Sequence, residues 1–295
     1  MKKFFPLAYV LLIVLGMIWG SSFILIKRGL QAFEPVQVGS LRIFIAGLVL
    51  LPVFIQWLPK AKKHNYKWFA LSGLLGNGLP AILFAIAQTH LSSSIAGALN
   101  SLTPMFALLV GVIVYKLPFD RSKSLGVGVG LLGALALILL GEKANFKGDL
   151  AYASLVIIAA LFYGINVNLI KEKFAESKPM VIAAFPIVFM AIPAFFVLLG
   201  TGFFSLDFTD TQALKSLGAI AILAIFGTAL SLVAFNHLIQ MTNAVFASLT
   251  TYIIPIVALL WGVWDGETMT LPQIGGMALI LIGVLLVRRK SPAHK

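Results

Sequence analysis

The chain has 295 residues, of which 60% are hydrophobic and 11% charged. That is too little charge to cover a soluble domain. Its net charge of +12 sits in short Lys and Arg runs between apolar stretches, which reads as a topology signal and not as a nucleic-acid surface. The absence of Cys excludes disulfides, a thiolate nucleophile and Cys-ligated metal.

The expected spans, in chain order, are Leu7 to Ile26, Val36 to Trp57, Trp68 to Ala87, Ser94 to Tyr115 and Leu125 to Leu140, followed by Leu150 to Ile170, Met180 to Leu199, Leu214 to Phe235, Ala244 to Trp264 and Ile274 to Val287. Lys2-Lys3 before the first span has the look of a signal peptide, but Trp19-Gly20 is no cleavage site, so this stretch is expected to remain as a span. At about 20 residues each, ten spans take roughly 200 positions and leave no room for a separate soluble domain. Only Arg42 places a charge well inside a span.

The tails and the second, fourth, sixth and eighth connections hold 16 Lys and Arg, against 5 on the other connections. Cytoplasmic loops retain the positive residues, so both termini are expected in the cytoplasm. A repeat divides the chain. Residues 18–35 (IWGSSFILIKRGLQAFEP) and 162–179 (FYGINVNLIKEKFAESKP) align without a gap 144 positions apart. Gly126 with Gly276 and Gly133 with Gly283 are 150 apart, and Pro104 with Pro255 is 151 apart. Five spans per half is an odd number, so the second half enters the membrane in the opposite sense. The expected fold is an all-α membrane protein of ten transmembrane helices in two inverted five-helix repeats, 1–145 and 146–295.

This double five-span pattern, with Trp19-Gly20-Ser21-Ser22-Phe23, Glu34-Pro35, Leu41-Arg42, Pro104 and Pro255, resembles the drug/metabolite transporter superfamily and its EamA-type members. The resemblance covers nearly the whole chain. It implies a ten-helix carrier of the bacterial inner membrane, usually an exporter of amino acids or related metabolites, with a central cavity built from both halves.

The residues point to a cavity on separate grounds. Trp19 and Ser22 share one helix face, and Tyr163 and Asn166 take the same places in the repeat. Either pair faces the cavity, or Trp19 packs on a neighbour while Ser22 bonds back to its own turn. Asn166 and Asn168 carry amides that need several partners in hydrocarbon. Pro104 removes a helical bond to Asn100, and Pro255 one to Thr251. Asn100 with Thr103 and Thr250 with Thr251 thus stand where a ligand or hinge would be built, unless the kinks only shape packing. Asn77, Phe84 and Gln88 fall near one stripe of the third span, with Pro80 freeing the Gly76 carbonyl; Thr228 and Ser231 offer weaker polar groups in the eighth. Arg42 either takes a charge role at the site or anchors at the surface.

No carboxylate lies mid-span; Asp265 and Glu267 end the ninth. Small multidrug exporters of the wider superfamily use a Glu in the first span, where this chain has Gly20, Ser21 and Ser22. That departure argues against cation-for-proton exchange and suits a zwitterion or neutral metabolite. The glycines at 126, 128, 130 and 133 and at 275, 276 and 283 read as packing surfaces, and a monomer or homodimer is expected. No phosphate loop or metalloprotease motif occurs, and no cofactor or metal is expected. The function so read is a secondary transporter, working by alternating access with a small-molecule substrate in a lipid bilayer. The rival is a polytopic enzyme acting on lipids, for which His237, Asn236 and Gln240 make a poor site.

Overall fold

The computed structural model describes residues 5–61, 65–116, 121–140, 146–242, 244–247 and 249–288, and their regular elements are all helical. The first half contains α1 (Phe5–Gly29), α2 (Pro35–Trp57), α3 (Tyr66–Gly73), α4 (Leu79–Ala87), α5 (Ser93–Asn100), α6 (Thr103–Tyr115) and α7 (Arg121–Leu139). The second contains α8 (Phe146–Lys173), α9 (Pro179–Gly200), α10 (Thr211–Ala224), α11 (Ser231–Met241), α12 (Ala244–Ala247), α13 (Thr250–Trp264) and α14 (Leu271–Arg288). Among the described residues, seven helical segments are long and apolar enough to cross a membrane. Ser124–Leu139, Thr250–Trp264 and Leu271–Leu286 are apolar but shorter, and they stand where the fifth, ninth and tenth spans were expected.

Local chemistry sets several helix starts. Glu34 and Gln37 form a capping box at α2, with Pro35 in its first turn. Ser92 caps α5 and Asp210 caps α10 through side-chain oxygens. Pro104 does not kink the middle of a helix as expected. Ser101 and Leu102 form a turn and Pro104 sits in the first turn of α6, where its missing N–H leaves no bond unmade. Pro255 does lie inside α13.

Two spans carry a feature that residue spacing did not suggest. A π-helical segment, Leu74–Gly78, joins α3 to α4, and another, Ile225–Leu230, joins α10 to α11. Their first residues are 151 positions apart, the same offset as Pro104 and Pro255. Widened turns of this kind concentrate at functional sites.

The packing respects the duplication. α2 packs on α9 and α7 on α14, each helix meeting its own counterpart, while α1 against α13 mirrors α8 against α6. The largest of the buried clusters draws on both halves, including Phe23, Leu41, Phe84, Leu99, Leu137, Ile220, Ile254 and Ile280. Large apolar side chains such as Ile113, Trp264 and Leu271 face outward, 76%, 79% and 83% exposed, as a lipid-facing surface requires. The boundary expected at 145/146 falls beside residues 141–145, which lie outside the described residues.

Long-range bonds sort the connections by end. Thr270 Oγ1 donates to the Leu140 carbonyl (2.8 Å), Lys27 pairs with Glu267 (2.9 Å), and Gln37 Nε2 donates to the Thr201 carbonyl (3.1 Å). These groups gather at one end of the bundle. At the other, Lys173 lies over Trp68 (4.9 Å) and Lys178 over Trp57 (4.5 Å), a basic and aromatic rim typical of a membrane interface. α1 runs toward the first end, whereas α8 starts near it and runs to the rim, so these equivalent helices are antiparallel.

Candidate functional site

The Gly of each aromatic-Gly pair marks a backbone crossing. A Cβ at Gly20 would lie 2.5 Å from Val257 Cβ and 2.9 Å from the Ile254 carbonyl oxygen; at Gly164 it would lie 2.7 Å from the Ala107 nitrogen. α1 therefore crosses α13, and α8 crosses α6, closer than any side chain permits. Each first helix then lays a polar group on the π segment of the other half. Ser22 Oγ is 3.2 Å from where a Cβ at Gly227 would stand, and Asn166 Nδ2 is 2.1 Å from one at Gly76. Gly76 and Gly227 are themselves 151 positions apart.

Arg42 of α2 reaches this polar centre. Its Nε–H donates to Thr228 Oγ1 at 2.8 Å, and Thr228, 2% exposed, donates in turn to the Leu223 carbonyl five residues back at 3.3 Å. Tyr163 lies within electrostatic range of Arg42, and its ring stacks on Phe84 at 6.2 Å. One turn along α8, Asn166 is 9% exposed, and its Oδ1 has no hydrogen-bond partner among the described residues. Asn100 Oδ1 is likewise buried without a donor. Asn77 sits half-buried in the first π segment at the position equivalent to Thr228. Arg42 has Pro186 as its equivalent 144 positions on, so the intramembrane charge belongs to one half only.

Other candidates turn to packing. Trp19 Nε1–H donates to the Gly227 carbonyl (3.1 Å) and its ring lies 5.0 Å from that of Phe235, while Ser22 Oγ donates to the Ile18 carbonyl (3.2 Å). Thr103 Oγ1 donates to the Asn100 carbonyl (2.8 Å), so the acceptor expected to be free is covered. Thr250 is fully buried and donates to the Ala247 carbonyl (2.7 Å); Thr251 is half-buried. Asn168 Nδ2 bonds the Ala107 carbonyl (2.9 Å), tying α8 to α6. His237 is exposed beside Gln240 in a shallow cavity of about 370 Å³. Trp19→Phe should therefore keep transport and lose about 1 kcal/mol of stability, the worth of one hydrogen bond; thermal unfolding and flux on the same preparation check it.

An ionic clasp that was not anticipated closes the first end. Lys27 pairs with Asp265 (2.7 Å) and Glu267 (2.9 Å), and Arg28 pairs with Asp265. Glu267 also accepts from the backbone N–H groups of Ser93 (2.9 Å) and Ser94 (3.1 Å) and from Ser94 Oγ (2.8 Å), at the start of α5. Gly262 leaves room, since a Cβ there would lie 2.3 Å from Glu267 Oε2, and Gly266 makes the turn at φ +81°. Burial alone would raise the Glu267 carboxyl, but the Ser93 N–H, the Lys27 ammonium and the Ser94 donors outweigh it and hold it below the usual carboxylate range. At the opposite end a cavity of about 380 Å³ is lined by residues including Trp57, Lys60, Asn65, Phe69, Glu172 and Lys178.

A lipid-facing bundle of two like halves that share a polar, charged centre is the architecture of a polytopic membrane transporter. The chain belongs to the EamA-like transporter family, whose profile matches twice, over residues 6–139 and 150–289. Among its relatives, an uncharacterized transporter of Archaeoglobus fulgidus is 28% identical over 92% of this chain and 95% of its own. The uncharacterized inner membrane transporter YedA of Escherichia coli K12 is 26% identical over 94% and 89%. A probable terminal-alkyne amino-acid exporter of Streptantibioticus cattleyicolor is 22% identical over 92% and 90%. A solved crystal structure shares the fold with a TM-score of 0.63 at 17% identity, covering 96% of both chains.

Proposed function

We propose that this transporter is a secondary carrier of small polar metabolites such as amino acids, working by alternating access as an exporter. Its two halves rock about the centre formed by Arg42, Asn77, Asn100, Tyr163 and Asn166. The observation that carries this reading is Asn166, an amide nine-tenths buried whose Oδ1 has no donor. Leaving such an acceptor unmet costs about 1–3 kcal/mol, and a substrate amine or ammonium supplies the missing donor. Support for the solute class comes from the probable terminal-alkyne amino-acid exporter among the relatives, and support for the membrane from YedA.

In this reading the rim of Trp57, Trp68, Lys173 and Lys178 faces the cytoplasm with both termini, which the distribution of Lys and Arg supports. The clasp then shuts the outer mouth and must break once per cycle. One chain contains both halves of the site, so a monomer suffices.

The test is uptake of labelled amino acids into proteoliposomes with and without a pH gradient. Asn166→Ala should lower flux about tenfold at normal expression, the equivalent of 1.4 kcal/mol. Flux equal to the parent's would remove Asn166 from the site, and flux that ignores the gradient would identify a facilitator.

A further inference from the structure

The Arg42 guanidinium is an unusual group to leave in a bilayer with one neutral partner. Its Nε–H is used by Thr228 Oγ1 at 2.8 Å. Among the described residues no carboxylate pairs with Arg42 and no protein acceptor takes its terminal nitrogens, which are also not among the fully buried polar atoms. The acids of the chain's polar clusters are committed elsewhere, Asp265 and Glu267 to Lys27 and Arg28 in the clasp. The side chain is not snorkelling out of the membrane, because its partner Thr228 lies in a π segment and is 2% exposed. Leu41 and Ile43 beside it are 4% and 3% exposed.

A planar cation held at Nε and open at its two terminal nitrogens presents the fork that receives a carboxylate through two parallel hydrogen bonds. Tyr163 lies within electrostatic range of the same guanidinium, and Asn166, three residues along the same helix face as Tyr163, carries a buried acceptor with no donor. We infer that Arg42 is the substrate-binding cation of this carrier, that it takes the carboxylate of an α-amino acid or related carboxylic acid, and that Asn166 receives the amine at the other end of the polar headgroup. This rests on the carrier reading above. It narrows the solute from any small polar metabolite to one bearing a carboxylate, and it assigns Thr228 the task of fixing the guanidinium plane.

The experiment pairs each labelled α-amino acid with its α-carboxamide, measuring flux in proteoliposomes and ligand-induced thermal stabilisation of the purified protein. The parent should prefer acid over carboxamide at least tenfold. Arg42→Gln should abolish that preference, lowering the acid response at least tenfold more than the carboxamide response, and Arg42→Lys, keeping the charge but not the fork, should retain part of it. Size-exclusion profiles of both variants establish that they are folded. Arg42→Lys serves as the reading variant if the uncharged one is not. Flux with no acid preference in the parent overturns the inference and leaves the carrier standing. So does an Arg42→Gln protein that loses acid and carboxamide equally, which would make Arg42 only a brace for the π segment. A parent that neither binds nor moves any compound removes the carrier reading and the inference with it.

Discussion

Gly133→Leu should be the most damaging single substitution in the membrane core, lowering stability by at least about 3 kcal/mol and the unfolding midpoint by about 6–12 °C. A Cβ at Gly133 would sit 2.6 Å from the Gly276 carbonyl oxygen and 2.7 Å from the Ile280 nitrogen. Both are backbone atoms of α14, so no rotamer change relieves the clash and the two helices must separate. The contact is reciprocal, as a Cβ at Gly276 would meet the Gly133 carbonyl oxygen at 2.8 Å and one at Gly283 the Gly126 carbonyl oxygen at 2.6 Å. Gly128, on the same helix, has nothing within 4 Å of that position, so Gly128→Leu should leave the midpoint unchanged. Thermal unfolding of the two purified variants makes the comparison. Equal midpoints would mean that α7 and α14 do not touch at these glycines.

Glu267→Ala should open the clasped mouth about a hundredfold more often than in the parent. The carboxylate serves two backbone N–H groups, a hydroxyl and the Lys27 ammonium, and its loss strands the N–H groups at the start of α5. Charged hydrogen bonds contribute about 1.5–3 kcal/mol each, but the 35% exposure of Lys27 reduces the ion pair's share. A total near 3 kcal/mol corresponds to the stated ratio. The chain has no Cys, so Ser101→Cys, at a site 2% exposed on the turn after α5, reports opening through its rate of reaction with a membrane-impermeant maleimide. Acid should do the same in the parent. Glu267 is held below its ordinary value near 4.5, so its contribution is complete above that value and is lost as pH falls through the lower folded one. A labelling rate unmoved by Glu267→Ala would show that the clasp does not close the mouth.

Much of the architecture was readable in residue order because the backbone demands the same letters twice. Gly20 and Gly164 recur where one helix crosses another without room for a Cβ, and Pro35 and Pro179 recur where a helix begins. The π segments were not readable, since LLGNG and IFGTAL share only Gly76 and Gly227 and a widened turn depends on what packs around it. At the site, Asn166 stood out because an amide in hydrocarbon demands explanation. Trp19 and Ser22 give their donors to the Gly227 and Ile18 carbonyls, which spacing along one helix does not reveal. The clasp eluded the spacing because Lys27 and Glu267 are 240 positions apart, a separation over which no helical periodicity speaks.

The mismatch between Arg42 and Pro186 has a consequence for how a solute sits. Had both halves kept the guanidinium, a small zwitterion could lie in either of two mirror-related poses and would exchange them as the protein alternates. With the cation on α2 alone, the site proposed above would tell head from tail, and a solute bound there would keep one heading from loading to release.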